Sequence, residues 1–257
     1  MTQQDLTSAE PIILAIDTSS KATSLAVARG GVALTSISER PDQKRSETLW
    51  TEIRSLLASV GKAISDIDVF SVCIGPGGFT GLRVGMAAVK GFASATNKPI
   101  IGVTSLEAAA FSAKPAVTVC AMVNAYKGEV YSQLFSFDRD GIPVARNSPM
   151  ASTLETAIER VAHINDLVFA GDGAEAERQA ILRAAAARGE GNWRMKQSER
   201  AFAEEIAQLV SLKHARGILE TPASLKACYV RPAEAEIKLS MGLLGSKIKR
   251  SMEPERR

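Results

Sequence analysis

Histidine is scarce in this 257-residue chain, with two copies, His163 and His214. They stand far apart and outside any HExxH pattern, which excludes the zinc-hydrolase helix that such a motif builds. No serine has a histidine within reach by any sequence argument, so a hydrolase triad is not supported either. Cysteine is nearly as rare. Cys73, Cys120 and Cys228 form no CxxC pair and no disulfide framework. Two of them lie in apolar, strand-like runs, where a free thiol behaves as a small hydrophobe. An excess of one charge is also missing. The formal net charge of +3 gives a weak overall field, below what a protein holding nucleic acid unaided normally carries. No apolar run is long enough to span a membrane. Residues 1–5 lack the basic start and apolar stretch of a secretory signal. The expectation is a cytoplasmic protein with no metal and no bound cofactor.

What remains is ample material for a core. Hydrophobic residues make up 46% of the chain, enough for one large core or two modest ones. The run 11–17 (PIILAID) is continuously apolar and ends in Asp17, the pattern of a buried strand. Alternating stretches at 22–28 and 32–38 flank the Gly30-Gly31 hairpin signal, so the chain opens on an antiparallel meander. The spacing of Leu49, Trp50, Ile53, Leu56, Leu57 and Val60 predicts a helix over 46–60, capped by Ser46 and ended by Gly61. A strand at 69–74, a helix at 80–96, a strand at 100–103 and a short helix capped by Thr104 or Ser105 complete the first half. The second half again opens on strands, at 117–124 and 129–137, with a hairpin turn at Arg139-Asp140-Gly141. Helical patterns follow at 152–163, 174–188 and 202–214, with a strand at 167–170 between the first two. The repeated order of elements predicts two similar α/β lobes, each a mixed sheet with packed helices. The first lobe is expected over 1–113, the second over 114–242, and a basic, fraying tail over 243–257.

The most informative stretch is 75–85, GPGGFTGLRVG. A strand, a glycine-rich turn and a helix start in succession can cradle a phosphate on converging N–H groups. The run is not a Walker loop, because no Lys-Ser or Lys-Thr pair ends it. Nor is it the dinucleotide fingerprint, whose glycines are spaced differently. The same glycines serve equally for a tight turn and close packing, since Gly81, Gly85 and Ala88 put small residues on neighbouring helical turns. Asp17 has two readings as well: a polar site residue, or the strand-end cap of the turn that follows it.

Taken in order, 13–20 (ILAIDTSS), 75–85, 101–106 (IGVTSL), 128–131 (GEVY), 171–174 (GDGA) and 229–232 (YVRP) resemble the TsaB (YeaZ) family at similar spacing. The resemblance covers most of 11–232, and the glycine stretch with its flanking strand is specific to TsaB and its catalytic relative TsaD. It implies an α/β fold of the actin/Hsp70/sugar-kinase type, two ribonuclease-H-like lobes. It also implies a role. TsaD transfers threonylcarbamoyl from its adenylate to the N6 amine of the tRNA adenosine next to the anticodon. TsaB binds TsaD through their N-terminal lobes and supports it, and TsaE contributes ATP hydrolysis. By this resemblance the chain is a non-catalytic partner of TsaD that meets TsaE and tRNA through the complex; without TsaD, both a homodimer and a monomer stay open. The alternative is a nucleotide-binding ATPase or kinase of the actin-like superfamily.

Two departures separate this sequence from its catalytic relatives. TsaD holds a metal with two histidines four residues apart, on one face of a helix; the corresponding helix here, 46–60, has none. Actin-type folds approach phosphates with an Asp-x-Gly turn in each lobe. The first turn here is Asp17-Thr18-Ser19-Ser20, and the second is Asn124-Ala125-Tyr126-Lys127, where the family usually has Asp-Ala-Arg. Asn124 cannot carry the charge that holds a metal–phosphate pair. Asp17, Gly77, Gly78, Thr80, Asn124, Gly171 and Gly173 therefore form a relict ligand site by resemblance, and Gly171-Asp172-Gly173 reads equally as a capped strand-to-helix turn. The partner face is expected on helices 46–60 and 80–96, at Leu49, Trp50, Ile53, Leu57, Gly81, Gly85, Met86 and Val89. Leu49 and Trp50 sit about 100° apart on a helix, so one serves the core while the other reaches a partner. Lys247, Lys249 and Arg250 suit either tRNA contact or a solvated surface.

Overall fold

A computed structural model describes residues 10–20, 23–38, 45–126, 128–189, 191–197 and 202–231. The expected basic tail, with Lys247, Lys249 and Arg250, lies outside the described residues, as do Lys127, Pro232 and the side chain of Ser46.

β1 (Ile12–Asp17), β2 (Ser24–Arg29) and β3 (Val32–Ser38) form the antiparallel meander. α1 (Arg45–Ser59) leads into β4 (Val69–Cys73), and α2 (Phe79–Thr96) into β5 (Ile100–Val103). Both strands extend the sheet in parallel from β1, giving the order β3-β2-β1-β4-β5. Asn97 ends α2 in the left-handed conformation, φ 54°. α3 (Ser105–Ser112) starts from a capping box. The Thr104 hydroxyl accepts from the Glu107 N–H at 3.0 Å, and the Glu107 carboxylate accepts from the Thr104 N–H at 2.8 Å.

The second sheet repeats the first. β6 (Thr118–Tyr126), β7 (Glu129–Phe137) and β8 (Pro143–Ala145) are antiparallel, and β9 (Met150–Ser152) also pairs with β7. After α4 (Leu154–Glu159), β10 (Asp166–Ala170) and β11 (Asn192–Met195) add in parallel from β6, with α5 (Asp172–Ala176) and α6 (Arg178–Ala187) between them. Read from its β8 edge, the order β8-β7-β6-β10-β11 is position for position that of the first sheet, with β9 off this path. Two lobes of one topology are the architecture expected, although β8, β9 and β11 were not. They are short and read as loop or turn by pattern alone. The expected helix 152–163 begins only after Ser152, which ends β9, and the expected helix 174–188 is divided at Glu177.

Side chains alternate across each strand, and this sorts the core into three layers. From β1, Ile12, Leu14 and Ile16 face α1 and α2, while Ile13 and Ala15 face inward between the lobes. From β10, Leu167 and Phe169 face the outer helices of the second lobe, while Val168 and Ala170 face inward. The inward positions are rich in small residues: Ala15, Ala26, Ala28, Cys73, Ala121 and Ala170. That leaves room for two helices between the sheets. α3 packs on the second sheet and on α7 (Ala203–Ala215), and α7 packs across the first sheet. The sequence division at Ala113 places α7 with the second lobe; in space it returns to the first. A helix buried on two sides carries no periodic mark of which sheet it covers.

Candidate functional site at the lobe junction and on the helical face

The ends of β1, β4 and β6 meet where the two lobes join. Asp17 closes β1 and is fully buried. Its Oδ1 accepts from the Ser19 N–H at 2.9 Å and the Ser19 hydroxyl at 2.6 Å. Oδ2 makes no hydrogen bond of ordinary geometry; the buried Cys73 thiol, a weak donor, is beside it. Burial pushes the Asp17 carboxyl above its ordinary range against the Ser19 hydrogen bonds, and the Asp172 charge from the other lobe adds to the rise. Burial likewise pushes the Cys73 thiol well up.

The glycine turn closes on this same corner. Gly78 N–H donates to the Ser19 carbonyl at 2.6 Å. A side chain at Gly77 would overlap that carbonyl, with the Ser19 Cβ 2.9 Å away. The Thr18 hydroxyl donates to the Gly81 carbonyl at 2.7 Å, and Gly85 faces Thr18 and Val72. The Asp17–Ser19 backbone packs into this turn and takes the Gly78 N–H, which is a packing use of these glycines. Thr80 sits exposed on the first turn of α2.

In the second lobe, Gly171 adopts φ 106° and lies against the Met122 carbonyl, a place no side chain fits. Gly173 packs on the Val123 backbone. Asp172 accepts from the Asn124 N–H at 3.1 Å, and the Asn124 side chain accepts from the Tyr126 N–H at 2.7 Å. Asn124 thus holds the β6–β7 turn, where Tyr126 has φ 60°. Asn124, Tyr126, Glu129, Val130, Gly173 and Glu177 line a cavity of mixed polarity, about 250 Å³.

A strap formed by residues 218–231 crosses this junction, and the sequence reading missed it. Glu220 exchanges backbone hydrogen bonds with Ile100, and its carboxylate accepts from the Gly102 N–H at 2.8 Å. Leu225 is buried beside α2. Cys228 N–H donates to the Ile74 carbonyl at 2.8 Å, and the Cys228 carbonyl lies 2.9 Å from where a Gly75 side chain would begin. Arg231 then pairs with Glu129 of the second lobe. The YVRP run was the available signal, but it served only as a mark of resemblance.

On the outer face, seven of the eight residues expected at a partner interface are inside the lobe. Leu49, Ile53, Leu57, Met86 and Val89 belong to the core beneath α1 and α2, and Gly81 and Gly85 are turned inward. Trp50 alone projects, 50% exposed, with its ring 5.5 Å from Phe92. Among the small residues that do face outward on α2, Ala87, Gly91 and Ala95 make one stripe at i, i+4 spacing. On α1 and the segment after it, Trp50, Arg54, Leu57, Lys62 and Ile64 line an open, largely apolar groove of about 660 Å³. His163 and His214 lie in different lobes, after α4 and in the last turn of α7. Among the described residues no group of three or more His, Cys, Asp or Glu is placed to hold a metal ion, and no helix is long and apolar enough to cross a membrane.

Two sheets of one topology meeting at their strand ends define a two-lobed α/β protein of the actin-like class. Lmo2764 from Listeria monocytogenes, named for an N-acetylmannosamine kinase, shares this fold at a TM-score of 0.50 and 12% identity over 79% of this chain and 99% of its own. YeaZ from Pseudomonas aeruginosa superposes with a TM-score of 0.68 at 27% identity, covering 85% of this chain and 99% of that one. A family model described as TsaD: tRNA N6-adenosine threonylcarbamoyltransferase matches residues 19–220. The Escherichia coli tRNA threonylcarbamoyladenosine biosynthesis protein TsaB is 30% identical over 168 residues, 64% of this chain and 72% of that protein. The Haemophilus influenzae protein of the same name is 34% identical over 122 residues, 46% of this chain and about half, 51%, of its own length. The chain belongs to the TsaB (YeaZ) family.

Proposed function

We propose that this chain acts in tRNA threonylcarbamoyladenosine biosynthesis as the non-catalytic partner of a TsaD-type transferase. Kinship to relatives named for that pathway supports the pathway. The observation that carries the non-catalytic part is the filled glycine turn, whose Gly78 N–H is already used by Ser19. The partner docks on α1 and α2. Trp50 supplies the aromatic anchor that interfaces favour, and the Ala87, Gly91 and Ala95 stripe lets a partner helix approach closely. A TsaE-type ATPase is met through the complex, and the same face pairs two copies when the partner is absent.

The test is co-expression with a TsaD-type protein from the same genome, co-purification, and tRNA modification reconstituted with and without this chain. Stable capture and modification that depends on both proteins are expected. Modification at full rate without the chain refutes the reading. The alternative, an actin-like ATPase or kinase, would place its ligand in the cavity beside Asn124 and Glu177. Micromolar Mg-ATP binding with turnover by the isolated chain, on the order of 1 per second, would favour it.

A further inference from the structure

Phe79 opens α2, Arg83 follows one turn later, and Tyr229 arrives from the strap. The three side chains form one stack. The Arg83 guanidinium lies 3.7 Å from the Phe79 ring centroid. The Phe79 and Tyr229 centroids are 5.3 Å apart with the rings tilted 35°, and Arg83 Nε donates to the Tyr229 hydroxyl at 3.4 Å. Aromatic clusters normally belong to cores. This one is on the surface, with Arg83 exposed and Tyr229 47% exposed.

The charge at the stack is uncommitted. Arg178, Arg194, Arg216 and Arg231 each pair with a carboxylate. The described contacts of Arg83 are a ring face and a hydroxyl. Lys226, three residues before Tyr229, is also exposed.

We propose that Phe79, Arg83 and Tyr229 form a platform for an unpaired base of single-stranded RNA, with Arg83 and Lys226 meeting the flanking phosphates. Single-stranded RNA is recognised by splayed bases stacked on aromatic rings and guanidinium planes, with cations positioning the backbone. The stack offers both groups, which the apolar groove at Trp50 does not. The choice of RNA rests on the proposed role in an RNA-modifying complex.

The experiment uses the full-length chain and fluorescence anisotropy with a labelled oligoadenylate of twelve nucleotides and a duplex RNA of equal length. Binding to the single strand in preference to the duplex is expected, weakening as salt rises. Tyr229→Ala and Arg83→Ala should each weaken it roughly 5- to 100-fold, while Tyr229→Trp, which keeps a stacking face, and Lys196→Ala, in the second lobe, should retain it. Circular dichroism reports folding. If Tyr229→Ala does not fold, Arg83→Ala at an exposed helix position still decides the matter. Equal binding of both alanine variants, a preference for duplex, or no binding at tens of micromolar overturns the proposal. So does loss of TsaD-type partner capture with RNA binding unchanged, since the stack would then belong to a protein interface. Capture without RNA binding sinks this inference alone, and RNA binding without capture sinks the proposed role.

Discussion

Leu49 and Trp50 are neighbours in sequence with opposite environments, and substituting each with Glu separates core from docking face. Trp50 keeps 50% of its surface in solvent, and its described ring contact is with Phe92. Losing an aromatic pair costs about 0.5–1.5 kcal/mol, and losing the half-burial of a large side chain about 1 kcal/mol more. Trp50→Glu should therefore lower stability by about 2 kcal/mol, a fall in Tm of about 4–8 °C for a chain of this size. It should leave a folded protein. Leu49 is 4% exposed within the core under α1. Leu49→Glu loses about 2–5 kcal/mol of packing and adds the cost of a buried carboxylate. The sum approaches the whole stability of a typical domain, about 5–15 kcal/mol, so this variant should not fold. Binding should respond in the opposite sense. An interface anchor contributes about 2 kcal/mol or more, so Trp50→Glu should weaken TsaD-type capture about 30-fold or beyond. Thermal melts followed by circular dichroism, with calorimetric titration of the folded variant, measure both quantities. A folded Trp50→Glu that binds within twofold of the native chain refutes the docking face, and a Leu49→Glu that melts like the native chain refutes the packing argument.

Gly171→Ala should destabilise by about 3 kcal/mol or more, because φ 106° is combined with a carbonyl already in contact; urea titration showing a loss under 1 kcal/mol would contradict the geometry. Asp17→Asn should leave stability unchanged or raised at pH 7. Burial holds the native carboxyl above its ordinary pKa, so ionisation opposes folding as pH rises past the unfolded value, and a large loss in melts at pH 7 would show that the charge is needed. Arg216 pairs with Asp138 at 2.5 Å and with Asp140, holding the Asp138 carboxyl down at about 2. The pair contributes fully above about pH 4 and fades as pH falls toward 2, so the Tm gap between Arg216→Gln and the native chain should shrink across that window. A gap independent of pH would remove the ion pair from the account.

The sheets were legible where apolar runs are long. β1, β4 and β6 announce themselves, and the parallel additions follow from the helices between them. β8 has three residues and β11 four, too few for any period to stand out. The second lobe is nevertheless incomplete without them. The phase of α2 was misread for a physical reason: Gly81, Gly85, Ala87, Gly91 and Ala95 surround the helix with small residues, and only the packing of Leu82, Met86 and Val89 on the first sheet shows which of them face out. The relict site shows a deeper limit. A glycine that admits a phosphate and one that admits a neighbouring carbonyl are the same letter, and only the position of Ser19 separates the two uses. The strap was invisible because its backbone ties to Ile100 and Ile74 leave no pattern in side chains.

The return of α7 to the first sheet also sets an order of events during synthesis. The inward face of that sheet, at Ile13, Ala15, Ala26 and Ala28, is closed by Ile206, Ala207 and Val210. Those residues leave the ribosome roughly 100 positions after the first sheet is complete, an interval of about 5–20 s at ordinary elongation rates. Throughout it the earliest-made strands have an uncovered apolar face. The half of the protein that begins folding first is thus the last to be finished, and a fragment ending near Ala113 would be held in that unfinished state.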